Sequence, residues 1–255
     1  MTITIKNEDE IRRMDEAGQV VALIHARIER AIMPGVTTAE LDDIARVTLN
    51  ESGAVSSFLG YHGFPAHICT SVNEEIVHGI PGERMLRDGD VISVDVGAIL
   101  NGYHGDSAWT YGVGQISEDA AALLRDTEVA LYLAVDAATS GNRLGAIGYA
   151  VEAHARSLGR GVVRNYGGHG IGRQMHEDPH VPNIGRPDRG IMLRSGLTLA
   201  IEPMLTLGSE ETRTLADEWT VVTADGSLAA HFEHTVAVGG DGGRVLTRRL
   251  APVLE

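Results

Sequence analysis

The chain has 255 residues, 43% hydrophobic and 22% charged, the balance of a globular protein with a substantial core. A formal net charge of -14 argues against nucleic acid or an anionic membrane as the main partner, because both would repel it. A single cysteine, Cys69, excludes an intramolecular disulfide, and neither a long apolar run nor a signal-peptide pattern is present, so the expected location is cytoplasmic.

Asn7 followed by Glu8, Asp9 and Glu10 predicts a helix start, with an acceptor at the cap and carboxylates near the positive helix end. Ile11, Met14, Ala17, Val21, Ile24 and Ile28 recur at helical spacing until Pro34-Gly35 stops the run. Thr37 with Glu40 forms a capping-box pattern for a shorter helix through Leu41, Ile44 and Leu49, ended by Ser52-Gly53. From about His67 the pattern turns to strands, clearest over 91–96. Another helical stretch begins at Ser117 and runs through Leu123, Leu124, Val129 and Leu133 to Ser140-Gly141, and a short helix follows over 145–158. Gly-rich turns and strands, including 198–201 and 231–238, complete the chain. Each half reads as long helix, short helix, then strands, which predicts one α+β domain over 1–255 built from two similar halves.

Two strand-like runs within 91–110 flank Asn101-Gly102, the strongest short-range signal for a two-residue hairpin. Pairing Leu100 with Tyr103 sets Gly97 opposite Asp106 and Asp95 opposite Ala108. Strand side chains alternate, so Asp95 and Asp106 share a face one diagonal step apart, about 7 Å. Ile92, Val94 and Val96 occupy the other face and are predicted core. Two acids side by side repel each other and lose hydration. A bound cation removes that penalty; so does exposure of the face to water.

Three further candidates lie downstream. His169 sits in the glycine-rich run Gly167-Gly168-His169-Gly170-Ile171-Gly172, where backbone can pass close to a ligand, although a lone histidine there is more often structural. Glu202 ends an apolar run and precedes Pro203, which favours extended backbone. Glu233 stands inside the β-prone run 231–236. Two Asp, two Glu and one His suit Mn, Fe, Co or Zn rather than a thiolate-type zinc site. Four carboxylates carry the charge that two divalent cations balance, the arithmetic of a dinuclear hydrolase.

In order and in context these residues resemble the metal ligands of the methionine aminopeptidases. The matching contexts are Val94-Asp95-Val96, His104-Gly105-Asp106, Gly168-His169-Gly170-Ile171-Gly172, Ile201-Glu202-Pro203-Met204 and Phe232-Glu233-His234-Thr235. The match extends through Val77-His78-Gly79-Ile80-Pro81 to the N-terminal helix and covers essentially the whole chain. It implies the pita-bread fold, in which two pseudo-symmetric halves each pack helices on antiparallel sheet. It also implies the short type I form. The extra N-terminal domain of the related proline-specific aminopeptidases has no room here, and 171–202 is too compact for the helical insertion of the second type.

The resemblance implies removal of the initiator methionine from nascent polypeptides, small second residues being preferred, by hydroxide attack on the first peptide bond between two divalent ions (Co, Mn, Fe or Zn). Asp95 and Asp106 would contact metal, Asp106 and Glu233 would bridge, and His169 and Glu202 would complete one ion's shell. Glu202 would also shuttle the proton, while His78 and His176 would contact substrate and stabilise the tetrahedral intermediate. Phe58, Tyr61, Phe64, Cys69, Met175 and Trp219 match the methionine pocket. Phe58 stands where cysteine is common and Met175 where phenylalanine is common, a pair of changes that trade volume. The implied partners are polypeptide N-termini near the ribosome, with no nucleic acid, no membrane, and a monomeric state. Two other readings are a proline-specific aminopeptidase of the same fold and a non-catalytic pita-bread binding protein. The second is disfavoured because all five ligand positions stand and the chain stays acidic to Glu255.

Overall fold

The computed structural model describes residues 3–250; the acidic end at Glu255 and both limits of the expected 1–255 domain lie outside the described residues. Helix α1 (Glu8–Ala31) opens on a capping box in which the Asn7 side chain accepts from the Glu10 N–H at 3.0 Å and the Glu10 carboxylate accepts from the Asn7 N–H at 3.1 Å. Its six predicted apolar positions are all buried. Helix α2 (Thr38–Glu51) begins with the same device at Thr37 and Glu40.

Helix α3 (Glu118–Ala137) starts at the Ser117 cap but ends at Ala137, short of the predicted Ser140. Val129 and Leu133, part of the predicted apolar run, are 46% and 40% exposed. Leu123 is buried as predicted, but the buried stripe continues through Thr127, Ala130, Leu131 and Ala134, and the Thr127 hydroxyl is satisfied by donating to the Leu123 carbonyl at 2.7 Å. Helix α4 (Gly145–Ser157) packs against α3.

All strand pairs are antiparallel. In the first half, Val91–Leu100 pairs with Tyr103–Gly112, Ile68–Val72 and Val55–Ser56. The hairpin takes the predicted register, with Gly97 opposite Asp106 and Asp95 opposite Ala108. Asn101 (φ 52°) and Gly102 (φ 78°) are both left-handed, the geometry that matches a tight hairpin to the twist of its strands. Ile92, Val94 and Val96 are fully buried, and α1 packs along both strands. In the second half, a five-stranded sheet orders Gly243–Val245, His234–Val238, Thr198–Ile201, Gly167–Gly170 and Glu177–Pro182. Two three-stranded sheets fill the remaining space, one of them built on Met204–Thr206.

The predicted strand over 231–238 is interrupted. Ala229–His231 pairs with Met204–Thr206 and His234–Val238 with Thr198–Ile201, in one shared register that sets Phe232 opposite Pro203 and Glu233 opposite Glu202. Pro203 explains the break, because it has no N–H to continue a ladder. The Phe232 N–H reaches the Pro203 carbonyl at 3.3 Å, and the Glu233 N–H turns away to the Ala108 carbonyl at 2.8 Å. Both strands therefore break at the same level, each at an acid, Glu202 and Glu233.

The segment before α1 is anchored by a buried ion pair, Lys6 to Glu177 at 2.5 Å, with side chains 5% and 11% exposed. Glu177 also accepts from the Thr4 hydroxyl and from the backbone N–H groups of Arg173 and Gln174. Lys6→Met leaves Glu177 buried without its cation, and removing one partner of such a pair destabilises by roughly 3 kcal/mol. Urea unfolding followed by circular dichroism should show that loss.

Candidate metal centre

The hairpin, the two interrupted strands and the strand Gly167–Gly170 deliver all five sequence-predicted acids and imidazole to one place. Asp106 is fixed by Thr235, whose hydroxyl accepts from the Asp106 N–H and donates to the Asp106 carbonyl, both at 2.9 Å. The Ser107 hydroxyl donates to the Glu233 carbonyl at 2.6 Å. These bonds stitch the first-half hairpin to the last long strand. Gly168 lets the His169 strand close in, since a Cβ there would lie 2.1 Å from the Ala200 carbonyl oxygen.

His169 Nε2 stands 3.8 Å from Asp106 Oδ2 and 3.9 Å from Glu202 Oε1. Its Nδ1 lies 2.9 Å from the Gly170 carbonyl, which can only accept. The proton therefore sits on Nδ1, and Nε2 turns its lone pair to the acids. Polar atoms of Asp106, His169 and Glu233 lie within 4.8 Å of one another, and so do those of Glu202, His231 and Glu233.

Four acids in one buried volume raise each other's proton affinity. Burial, then the charge of Glu202, pushes Asp106 up to about 8. Burial, then Asp95, pushes Glu202 up to about 8. Asp95 and Glu233 are also driven well above the carboxylate range, by burial and then by Asp106. His169 moves the other way, to about 3, through burial and the adjacent His176. Asp95 Oδ1, Asp106 Oδ1 and Glu233 Oε1 are buried with no hydrogen-bond partner. Orphaned oxygens, proton-hungry acids and an unprotonated imidazole fit a divalent cation, which would replace the protons and occupy the free lone pairs.

A cavity of about 230 Å³ opens over this cluster. Phe58, Tyr61, Phe64, Cys69, Met175 and Trp219 all line it, together with His78 and His176. Phe64 meets Trp219 edge to face at 5.1 Å. Cys69 lies opposite Asp95 in the sheet, and burial, then the Asp95 charge, holds its thiol protonated, so it serves as wall. His78 has φ 62°, a left-handed conformation rare for a non-glycine residue and frequent where a side chain is aimed at a site. His176 is stacked on Tyr61 and held by its hydroxyl, 2.8 Å from Nδ1. Two cavity or cluster residues were missed in the sequence. His62 lines the cavity, and His231 joins the acids. His231 had a readable signal, because it lies two residues before Glu233 in a β-prone run and strand alternation places such residues on one face.

Fold and site together define a metal-dependent hydrolase with the pita-bread architecture. Residues 12–239 match metallopeptidase family M24. The chain is 52% identical over 246 residues to methionine aminopeptidase 1 of Bacillus subtilis, covering 96% of this chain and 99% of that one. The crystal structure of methionine aminopeptidase from Thermotoga maritima superposes with a TM-score of 0.95 at 40% identity, over 97% of this chain and 100% of that one. An Xaa-Pro dipeptidase from Bacillus anthracis shares the fold at a TM-score of 0.79 and 23% identity, but this chain covers only 63% of its length. The chain belongs to metallopeptidase family M24 and, within it, to the methionine aminopeptidases. No helix among the described residues is long and apolar enough to cross a membrane.

The raised acids make stability depend on pH in the metal-free protein. Their folded pKa values exceed the unfolded ones, so the folded state holds extra protons and loses stability as pH rises toward about 8. Unfolded histidines titrate near about 6.5, so the effect stands alone above about pH 7. Thermal unfolding of metal-stripped protein should fall between about pH 7 and 8, and a saturating divalent cation should flatten that fall. A metal-free melting point that rises over this interval would contradict the placement of the acids.

Proposed function

We propose that the protein removes the N-terminal methionine from nascent polypeptides, preferring small second residues and using two divalent ions drawn from Co, Mn, Fe or Zn. One observation carries the reading: the partnerless carboxylate oxygens of Asp95, Asp106 and Glu233 lie at the floor of an apolar cavity sized for a single side chain. Four ionised carboxylates would balance two divalent cations, which Asp95, Asp106, His169, Glu202 and Glu233 would hold. When bound, the ions supply carbonyl polarisation and a water of lowered pKa.

The chain's own groups do the rest. Glu202 directs one oxygen toward His169 and the other toward His231, and it accepts the water proton and returns it to the leaving amine. Burial and the neighbouring His176 hold His78 down at about 4, and burial and then His62 lower His176. Both rings therefore work as neutral N–H donors to the substrate carbonyl, without adding charge that would repel cations. A donor placed in this way contributes about 3–4 kcal/mol to the barrier reduction. Phe58, Tyr61, Phe64, Cys69, Met175 and Trp219 receive the methionine side chain, and Met175 gives one wall the flexibility to follow a thioether.

The protein would act as one catalytic domain over 1–255, monomeric and cytoplasmic, on polypeptide N-termini near the ribosome. The net charge of -14 supports an absence of direct nucleic-acid or membrane contact. The test is release of methionine from Met-Ala-Ser with and without added divalent metal. Asp106→Asn should lower turnover by at least about 100-fold while the fold persists. Xaa-Pro peptides should remain uncut; turnover of those in place of Met-Ala-Ser would move the assignment to a proline-specific peptidase.

A further inference from the structure

His231 lies outside the five-residue set, and its depth and orientation call for a reason. Its backbone is held twice by Thr110: the His231 N–H donates to Thr110 Oγ1 at 2.9 Å, and the His231 carbonyl accepts from the same hydroxyl at 2.8 Å. Ser93 lies 2.8 Å from that hydroxyl in turn, which ties the ring's position to the hairpin carrying Asp95 and Asp106. The residue is 2% exposed, and its Nε2 has no hydrogen-bond partner.

Nε2 lies 3.7 Å from Glu202 Oε2 and 3.6 Å from Glu233 Oε2. Both distances exceed an N–H···O hydrogen bond of about 2.7–3.2 Å. They match the spacing of atoms that share one cation, because metal–ligand bonds of about 2.0–2.2 Å place neighbouring ligands roughly 3–3.7 Å apart. His169 stands slightly farther, 3.8 and 3.9 Å, from Asp106 and Glu202. His231 thus stands to two carboxylates at cation-sharing distance, at closer range than His169, and Glu202 turns one oxygen to each ring. The groups Asp106–His169–Glu233 and Glu202–His231–Glu233 meet at Glu233.

We propose that His231 is a sixth ligand of the metal centre, binding through Nε2 a divalent cation shared with Glu202 and Glu233. The assignment rests on the metal-dependent reading of the preceding section and adds a second imidazole to it. The added nitrogen shifts the preference of the centre toward Fe, Co or Zn and away from the harder Mn. It also gives the partnerless Nε2 a partner.

Proton NMR of the cobalt-loaded protein counts the coordinated rings, because an imidazole bonded to high-spin Co(II) has ring protons shifted far outside the normal range. The wild type should show two such rings. His231→Gln should lose one and keep the other, and His169→Gln should lose the complementary set. A competition titration should show His231→Gln binding one cobalt equivalent at least about 10-fold more weakly. A single shifted ring in the wild type, unchanged in His231→Gln, would overturn the sixth ligand while leaving the five-residue centre intact, even if activity fell in the variant. Absence of any cobalt uptake would overturn both this assignment and the metal-dependent reading. The wild-type count decides by itself, so a poorly folding variant does not blunt the test.

Discussion

Mutual repulsion among Asp95, Asp106, Glu202 and Glu233 is the constraint around which the molecule is organised. Carboxylates without counter-charge do not gather in a buried space unless the surrounding structure forces them there. Here the force comes from apolar burial on the far side of the hairpin, where Ile92, Val94 and Val96 lock the register against the core. A slip of one residue would bury both hairpin acids in the hydrophobic interior and expose those three side chains. Register and charge placement are thus one decision, fixed by a two-residue turn.

The other two acids are positioned by a different device. Glu202 and Glu233 face each other where the ladder between their two strands lapses at Pro203, the register being the same on either side, and the N–H groups of Phe232 and Glu233 bond the Pro203 and Ala108 carbonyls. Ordinary alternation puts Glu233 on the same face as His231, and the shared register sets Glu202 opposite Glu233. The lapse leaves no backbone N–H of Phe232 or Glu233 without a partner. Paired sheet on either side keeps the two acids from relaxing apart.

Much of this was legible in the residues because it depends on local rules. The α1 stripe, both capping boxes and the hairpin register follow from spacing within one or two elements, and the family resemblance gathered five distant positions into one set. The break in 231–238 was not legible, because its cause is a proline on the partner strand some thirty residues away in sequence. Val129 and Leu133 misled for a related reason. Helical spacing identifies a possible apolar face, but Thr127, Ala130 and Ala134 form the face that is buried, and only packing decides between them. His62 reaches the cavity from a short helical turn, Tyr61–Gly63, with no periodicity to announce it. His231 is the instructive case: alternation with Glu233 was visible, but a ring becomes notable only when its nitrogen is seen to lack a partner.

The bonds between Asp106 and Thr235 join residues 129 positions apart in sequence. During synthesis the hairpin leaves the ribosome long before the strand that braces it, so Asp106 is without its Thr235 brace until the final fifth of the chain has been made. Contacts of such long range form late and together. The hairpin alone brings Asp95 and Asp106 together, and the centre is complete only once His169, Glu202 and Glu233 of the second half have joined them.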